Sequence, residues 1–363
     1  MKAISFIIMA LSAICGLSAA QRVTVIDSRD NSSVIGATVF SHSGTIKGIT
    51  DNNGNIDGLS PADFPLTVKC LGYSQATCDS GSDTLKLVEA SYPLSEITVT
   101  PGDRPIMKVI CYIRELTSGT TESDTIQFFA EHMAAFYIPT IEKTKIKVTT
   151  NPQKLKSQFY KPLISGSNSE GISRDADYDD FSWLMLVSYP AENFNVPQSI
   201  LNGAAADTVK GKYYPKTITR ANSGTITQTI DMLSDRKNHT YSPSFFKLFG
   251  LTIDITELRS AWAYRNEMKP MYEPSDVIYE TFSMDILGKG KLIKKAFKSS
   301  EPVNMHAYYE LYPTSIEYLT IEEADDQLHH NPPVTEIIRS PIAPPLDPAL
   351  QARVAKSARN NQP

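Results

Sequence analysis

Beyond Met1 to Ala20 the sequence holds no apolar run of the roughly 18 residues that a membrane-crossing helix requires. Charge of one sign is lacking too: 35 basic and 40 acidic residues leave a formal net charge of −5, with no long block of either. That removes the basic footprint of a nucleic-acid partner from expectation. The six histidines lie scattered, no HExxH occurs, and the adjacent His329 and His330 would point apart on strand or helix. A GxSxG turn, a phosphate loop and a dinucleotide fingerprint are all missing. Neither a metal nor a cofactor is therefore expected, and no catalytic residue is assigned.

What is present begins with an export signal. Lys2 gives a short basic region, Ile4 to Ile14 is apolar, and Ser18, Ala19 and Ala20 are small residues before Gln21. This predicts a signal peptide over 1–20 and an exported chain, in the periplasm or associated with the outer membrane, with no transmembrane span left after cleavage. Of the four cysteines, Cys70, Cys78 and Cys111 would remain. One disulfide can then form, Cys70 with Cys78 as the pair, or Cys70 can be a small core residue of LTVKCLGY. A lipoprotein reading would put lipid on Cys15, but Ile14 stands where a small residue is wanted.

From Arg22 to about Thr100, RVTVID, ATVFS, LTVKCLGY, DTLKLVEA and SEITVT read as short strands divided by Gly, Asn, Asp and Pro. Strands at this spacing predict a small antiparallel sandwich. The order of Gly36-Ala37, Thr50-Asp51, Asn53-Gly54, Gly72-Tyr73 and the closing LSEITVT resembles the carboxypeptidase regulatory-like domain, a transthyretin-type sandwich of exported Gram-negative proteins. The resemblance implies a non-catalytic, seven-stranded-type module over 21–100. The family pattern is departed from at Ile56, with Asp57 and Gly58 next in the chain. LSEITVTPGDRP also resembles the segment before the plug of certain outer-membrane transporters. The chain after Pro105 is too short for plug and barrel, and NNQP is no barrel-closing strand. A transporter is excluded; an accessory role at that membrane is not.

The stretch TDNNGNIDGL places Asp51, Asn53, Asn55 and Asp57 at alternating positions, as a calcium loop does. Position six is Ile56 and position twelve Ala62, where such a loop needs glycine and a bidentate carboxylate. A hairpin turn is the reading, with Gly54 supplying positive φ.

Residues 101–330 predict a larger, mostly antiparallel β domain with helices near its start. Ile106, Ile110 and Ile113 share a helical face in IMKVICYIREL, and TIQFFAEHMAAFYIP fits a second helix or a bent strand. KTKIKVTT, FSWLMLVSYP, KTITR, GTITQTIDM, FGLTIDIT, VIYETFSMDI, GKLIKKAF and HAYYELYPTSIEYLTI read as strands; SGSNSEG and DADYDD read as a solvated loop. After Asn331 dense prolines favour extended geometry, so 331–363 is a tail or an arm laid along the sheet through Ile337, Ile338 and Ile342, with a short helix over Pro348 to Ala358.

The expected function is a non-enzymatic envelope protein, a binding or assembly component with an envelope protein or glycan as partner. The alternatives are a periplasmic hydrolase using Ser244 and Lys247 of an S-x-x-K pattern that lacks a KTG companion, and an adhesion module using Trp183, Trp262, Tyr213 and Tyr214. Thr84, Thr125 and Thr208 each come after an aspartate and precede an apolar residue, a pattern at which some Gram-negative bacteria attach O-glycans.

Overall fold

The computed structural model describes residues 21–79, 82–90, 104–121, 124–140, 151–166, 182–244, 247, 250–291, 301–330, 334, 336–348, 350–352 and 354–355. The expected signal with Cys15, the strands SEITVT and KTKIKVTT, the loop DADYDD and most of SGSNSEG and GKLIKKAF lie outside them. The chain is mainly β with few helices. It divides into two units, Met1–Cys70 with Gln75–Val88, and Leu71–Ser74 with Glu89–Pro363.

The described residues of the first unit form seven strands: β1 (Gln21–Asp27), β2 (Thr38–Phe40), β3 (Ile46–Ile49), β4 (Asn55–Leu59), β5 (Leu66–Lys69), β6 (Ala76–Cys78) and β7 (Thr84–Leu87). They make two sheets, ordered β4-β1-β7 and β3-β2-β5-β6. Val23, Val25, Val39, Leu66, Val68 and Leu87 are fully buried. The expected antiparallel arrangement fails at one pair, since β1 and β7 run parallel from Thr24↔Thr84 to Asp27↔Leu87. The chain leaves one sheet at Cys78 and enters the other at Thr84, and apolar alternation carries no record of such a crossover. Cys70 and Cys78 are free thiols. Cys78 pairs with Leu66, four residues before Cys70, which is roughly 13 Å at strand rise and too far for a bridge.

TDNNGNIDGL forms the turn into β4. Asp51 Oδ1 accepts the backbone N–H groups of Asn53 and Asn55, both at 2.8 Å, and Gly54 N–H donates to Asp51 O at 2.9 Å. The carboxylate thus closes an Asx turn. Asp57 pairs with Arg22. Gly54 has φ +76°, and a Cβ there would lie 2.5 Å from Val25 O.

The second unit is built on β8 (Ile106–Thr120), β9 (Asp124–Pro139), β10 (Gln153–Gly166), β12 (Ala206–Lys210), β13 (Pro215–Ala221), β14 (Thr225–Asp231), β15 (Leu251–Arg265), β17 (Val277–Gly290) and β18 (Val303–Leu319). These make one sheet ordered β10-β9-β8-β18-β17-β15-β14-β13-β12, antiparallel throughout. A separate pair joins β11 (Phe194–Asn195) to β16 (Met271–Tyr272), and the helices are α1 (Gln198–Leu201) and α2 (Ile321–His329).

The helix expected over IMKVICYIREL is a strand, and TIQFFAEHMAAFYIP takes the strand of its two readings. β8 is buried at nearly every position rather than on one stripe. Met107, Val109, Cys111 and Ile113 face one core while Tyr112 faces another. A strand covered on both sides needs apolar residues at odd and even positions, and such a run satisfies helical spacing by default. FSWLMLVSYP, expected as a strand, instead makes a 3-10 turn at Leu184–Leu186. Leu184, Val187, Tyr189, Phe194 and Ile200 then fill the core on one face of the sheet. Pro313, within central β18, sits at a bulge; Thr314 Oγ1 donates to Ile110 O at 2.9 Å there.

Gly54→Ala should lower the unfolding free energy by about 2 kcal/mol or more. Gly54→Asn should fail as well, because asparagine tolerates the φ but its Cβ meets the same carbonyl. Urea denaturation monitored by circular dichroism checks both; unchanged midpoints would remove this glycine from the basis of the turn.

Candidate binding site beneath the C-terminal arm

The face of the large sheet opposite Val109 and Cys111 presents Tyr112, Met133, Ala261, Ala263, Tyr279 and Tyr312. Val334, Ile337, Ile342 and Ala343 of the proline-rich segment pack on it, so this stretch is an arm laid along the sheet. Ile337 and Ile342 dock as expected, whereas Ile338 is exposed. The described residues of 348–355 are helical, and Leu350 is buried.

A carboxylate holds the arm. Glu131 on β9 is completely buried, and Arg339 reaches it with Nε to Oε1 and Nη2 to Oε2, both 2.7 Å. The hydroxyls of Tyr112 and Tyr160 donate to the same carboxylate. Burial alone would raise the Glu131 carboxyl; the bonds from Arg339, Tyr112 and Tyr160 outweigh it and hold the group below the usual range. Burial pushes the Tyr112 hydroxyl up to about 12, so it remains a donor. Beside this clamp, Arg114 Nη1 donates to Pro344 O at 2.7 Å and to Glu310 Oε2 at 3.3 Å. Burial works against the Arg114 charge, and the Glu310 carboxylate overcomes it, so the guanidinium stays ionised.

Between the arm and the sheet lies a cavity of about 350 Å³. Tyr272 of β16, Ile278 of β17 and Thr314 and Ile316 of β18 line one side and residues 338–342 the arm side. Arg265, the last residue of β15, opens onto it with Glu267 and Asp276. Lys269 stands 3.6 Å from Glu267 and 2.9 Å from Asp276, one positive charge shared between two carboxylates.

On the opposite face, Glu115 accepts from Tyr309 OH (2.6 Å), Ser182 Oγ (2.8 Å) and Trp183 N–H (3.1 Å). His132 Nε2 lies 2.9 Å from Glu115 Oε2, and its Nδ1 lies 2.8 Å from Ser157 Oγ. The tautomer protonated at Nε2 would donate to Glu115 and accept at Nδ1 from the Ser157 hydroxyl. His132 and Glu115 are buried and Ser157 is half-buried.

On that same face Glu280 sits directly across from Trp262. Neither its carboxyl oxygens nor the indole nitrogen has a hydrogen-bond partner among the described residues. Burial pushes the Glu280 carboxyl well above its usual range, which the neighbouring indole only tempers.

The sequence-derived candidates do not converge. Ser244 and Lys247 are exposed on a surface turn, and neither lines the cavity. Trp262 is buried and Trp183 half-buried against the core, so neither is an open platform. Tyr213 is exposed, and Tyr214 packs its ring against His239 at 4.7 Å. Thr84 and Thr208 are exposed and Thr125 half-buried. Glu131, Arg339, Arg265, His132 and Ser157 were not singled out from the sequence. The signal that could have found them was a charged residue interrupting apolar text, as in FFAEHMAAFY and VIYETFSM.

No family model and no curated protein matches the chain. Among solved structures, one described as lipid–protein interactions in lipovitellin is similar over 60% of this chain and 26% of its own length, at 10% identity and a TM-score of 0.28. The chain thus spans about a quarter of that structure, and a likeness this distant defines neither family nor function.

Two substitutions test the buried acids. Arg339→Ala should cost about 2 kcal/mol, less than the roughly 3–5 kcal/mol for breaking a fully buried pair because Arg339 itself is half-exposed, and should release the arm to limited proteolysis. In the native chain this clamp contributes above the ordinary carboxylate pKa and is lost as pH falls through the depressed value of Glu131. Glu280 has the opposite sign: its raised folded pKa means the folded state keeps a proton the unfolded state gives up, so stability falls as pH rises above the ordinary carboxylate pKa. Glu280→Leu should therefore raise the Tm, and by more at pH 8 than at pH 4.

Proposed function

We propose that this chain is a non-enzymatic binding component of a Gram-negative cell envelope, exported by its N-terminal segment and carrying a carboxypeptidase regulatory-like sandwich ahead of a ligand-holding sheet. The cavity between sheet and arm carries this reading. It falls within the usual volume range of small-molecule sites, mixes apolar walls with a few polar groups, and is walled by a segment anchored through a buried carboxylate. The sandwich serves as a non-catalytic module, with a peripheral association to the outer membrane through a protein or glycan partner.

A second reading is favoured by one specific observation, the Ser157–His132–Glu115 chain, which has the hydroxyl, imidazole and carboxylate order of the serine-hydrolase relay with the two ring nitrogens exchanged. In the binding reading that chain is a buried network joining β8, β9 and β10.

Fractionation of the native host should place the protein in the envelope, and a fluorophosphonate probe should leave the purified protein unlabelled. A cytosolic location would overturn the first reading. Labelling of Ser157 that disappears in His132→Ala would establish the second.

A further inference from the structure

The formal charge of −5 conceals a local excess of the opposite sign. Residues 211–214, after β12, and 232–241, after β14, are knit into one surface. Tyr213 and Tyr214 N–H both donate to Ser234 O at 3.1 Å, Lys212 N–H donates to Asp235 Oδ1 at 2.8 Å, and Tyr214 OH donates to Lys237 O at 3.4 Å. A Cβ on Gly211 would stand 2.8 Å from Ser234 Cβ, so the two segments touch. Lys210, Lys212, Lys216, Arg236 and Lys237 are all exposed there. Within 210–216 and 232–241 the one acid is Asp235, which Lys216 meets at 3.6 Å. Lys210, Lys212, Arg236 and Lys237 make no ion pair among the described residues. Asp231, at the foot of the second segment, is buried and already met by His239 and Arg259.

Two tyrosines open to solvent lie among these cations, Tyr213 at 45% and Tyr241 at 39% exposure. Lys212 Nζ stands 5.2 Å from the centre of the Tyr213 ring, and Arg236 Cζ 4.9 Å from that of Tyr241. Rings and charges thus occupy one level. A hydrocarbon layer could take in neither ring without its cation, which disfavours a lipid surface. A hydrated polymer that alternates anionic groups with flat C–H faces meets both at once.

We infer that this surface binds an acidic polysaccharide, a chain of pyranose units bearing carboxylates. The carboxylates lie on the four unpaired cations, where Arg236 can donate two parallel bonds, and the sugar rings rest on the solvent-facing parts of Tyr213 and Tyr241. The inference rests on the reading of a glycan partner and is independent of the cavity beneath the arm.

Affinities of the full mature chain are measured for polygalacturonate, for pullulan as an uncharged polysaccharide, and for poly-glutamate as a polyanion without sugar rings. Polygalacturonate should bind at least about tenfold more tightly than either, and less tightly as salt is raised. The triple substitution Lys212→Gln, Arg236→Gln and Lys237→Gln, at exposed positions, should weaken that binding at least about tenfold. Tyr213→Ala with Tyr241→Ala should bring polygalacturonate down to the level of poly-glutamate. Circular dichroism checks that both variants fold. Equal affinity of the native chain for the two anionic polymers overturns the glycan assignment, and so does tighter binding to phosphatidylglycerol vesicles, which moves the surface to a membrane. No binding of polygalacturonate, or binding indifferent to the triple substitution, overturns the surface as a site and leaves a protein as the partner of the proposed binding component.

Discussion

Glu131 imposes the constraint around which one face of the large unit is organised. A carboxylate without solvent must be met by donors, and its own strand supplies none. Tyr112 and Tyr160 approach from the two neighbouring strands and Arg339 from a segment more than two hundred positions away in sequence. Since a proline-rich segment cannot add itself to the sheet by ladder hydrogen bonds, the ion pair and the Arg114 bond to Pro344 O are what fix its position. The cavity is a by-product of that fixation. Its far wall exists only because the arm is held at Glu131 and again at Pro344.

The two faces of the sheet solve the burial problem differently. One is filled by the chain itself, with the stretch from Leu184 to Ile200 supplying aromatic and aliphatic side chains to a continuous core. It tolerates Glu280 by keeping the carboxyl protonated. The other is only partly covered, and its uncovered portion pairs titratable side chains, Asp285 of β17 with His306 of β18 at 2.8 Å, and Asp231 of β14 with His239 of the connection after it at 2.7 Å. Chemistry therefore has somewhere to happen on the arm side, whereas the packed side leaves room for little beyond the network around Glu115.

Mainly-β character was legible from the sequence because strands such as GTITQTIDM alternate on a half-covered surface. Where alternation was absent, reading by period went astray. IMKVICYIREL is apolar at odd and even positions because two cores flank it, and a doubly buried strand is hard to distinguish from a helix by spacing. The parallel pairing of β1 with β7 was invisible for another reason: it depends on which sheet the chain enters after Cys78. The turn at TDNNGNIDGL was readable because its determinants are local, one aspartate closing on two nearby amides and one glycine with no room for a side chain. The cavity was not, since Arg265, Ile316 and Arg339 are dispersed in sequence and only strand order and the docking of the arm bring them to one cavity. Even so, glutamates in FFAEHMAAFY and VIYETFSM marked places where burial would demand an answer.

The margins of the sheet bear on how this chain can meet others of its kind. At one end β10 carries Lys154 and Lys156, with Pro162 at the bulge between Tyr160 and Leu163; at the other, β12 ends on exposed Lys210. Lysines and a proline at an edge repel an incoming strand and deny it amide donors. Fourteen-residue β10 would otherwise be an inviting template for fibril-like stacking. At high concentration the margins of the described sheet thus act as insulation, and contacts with other molecules are directed to the faces, the turns and the arm instead.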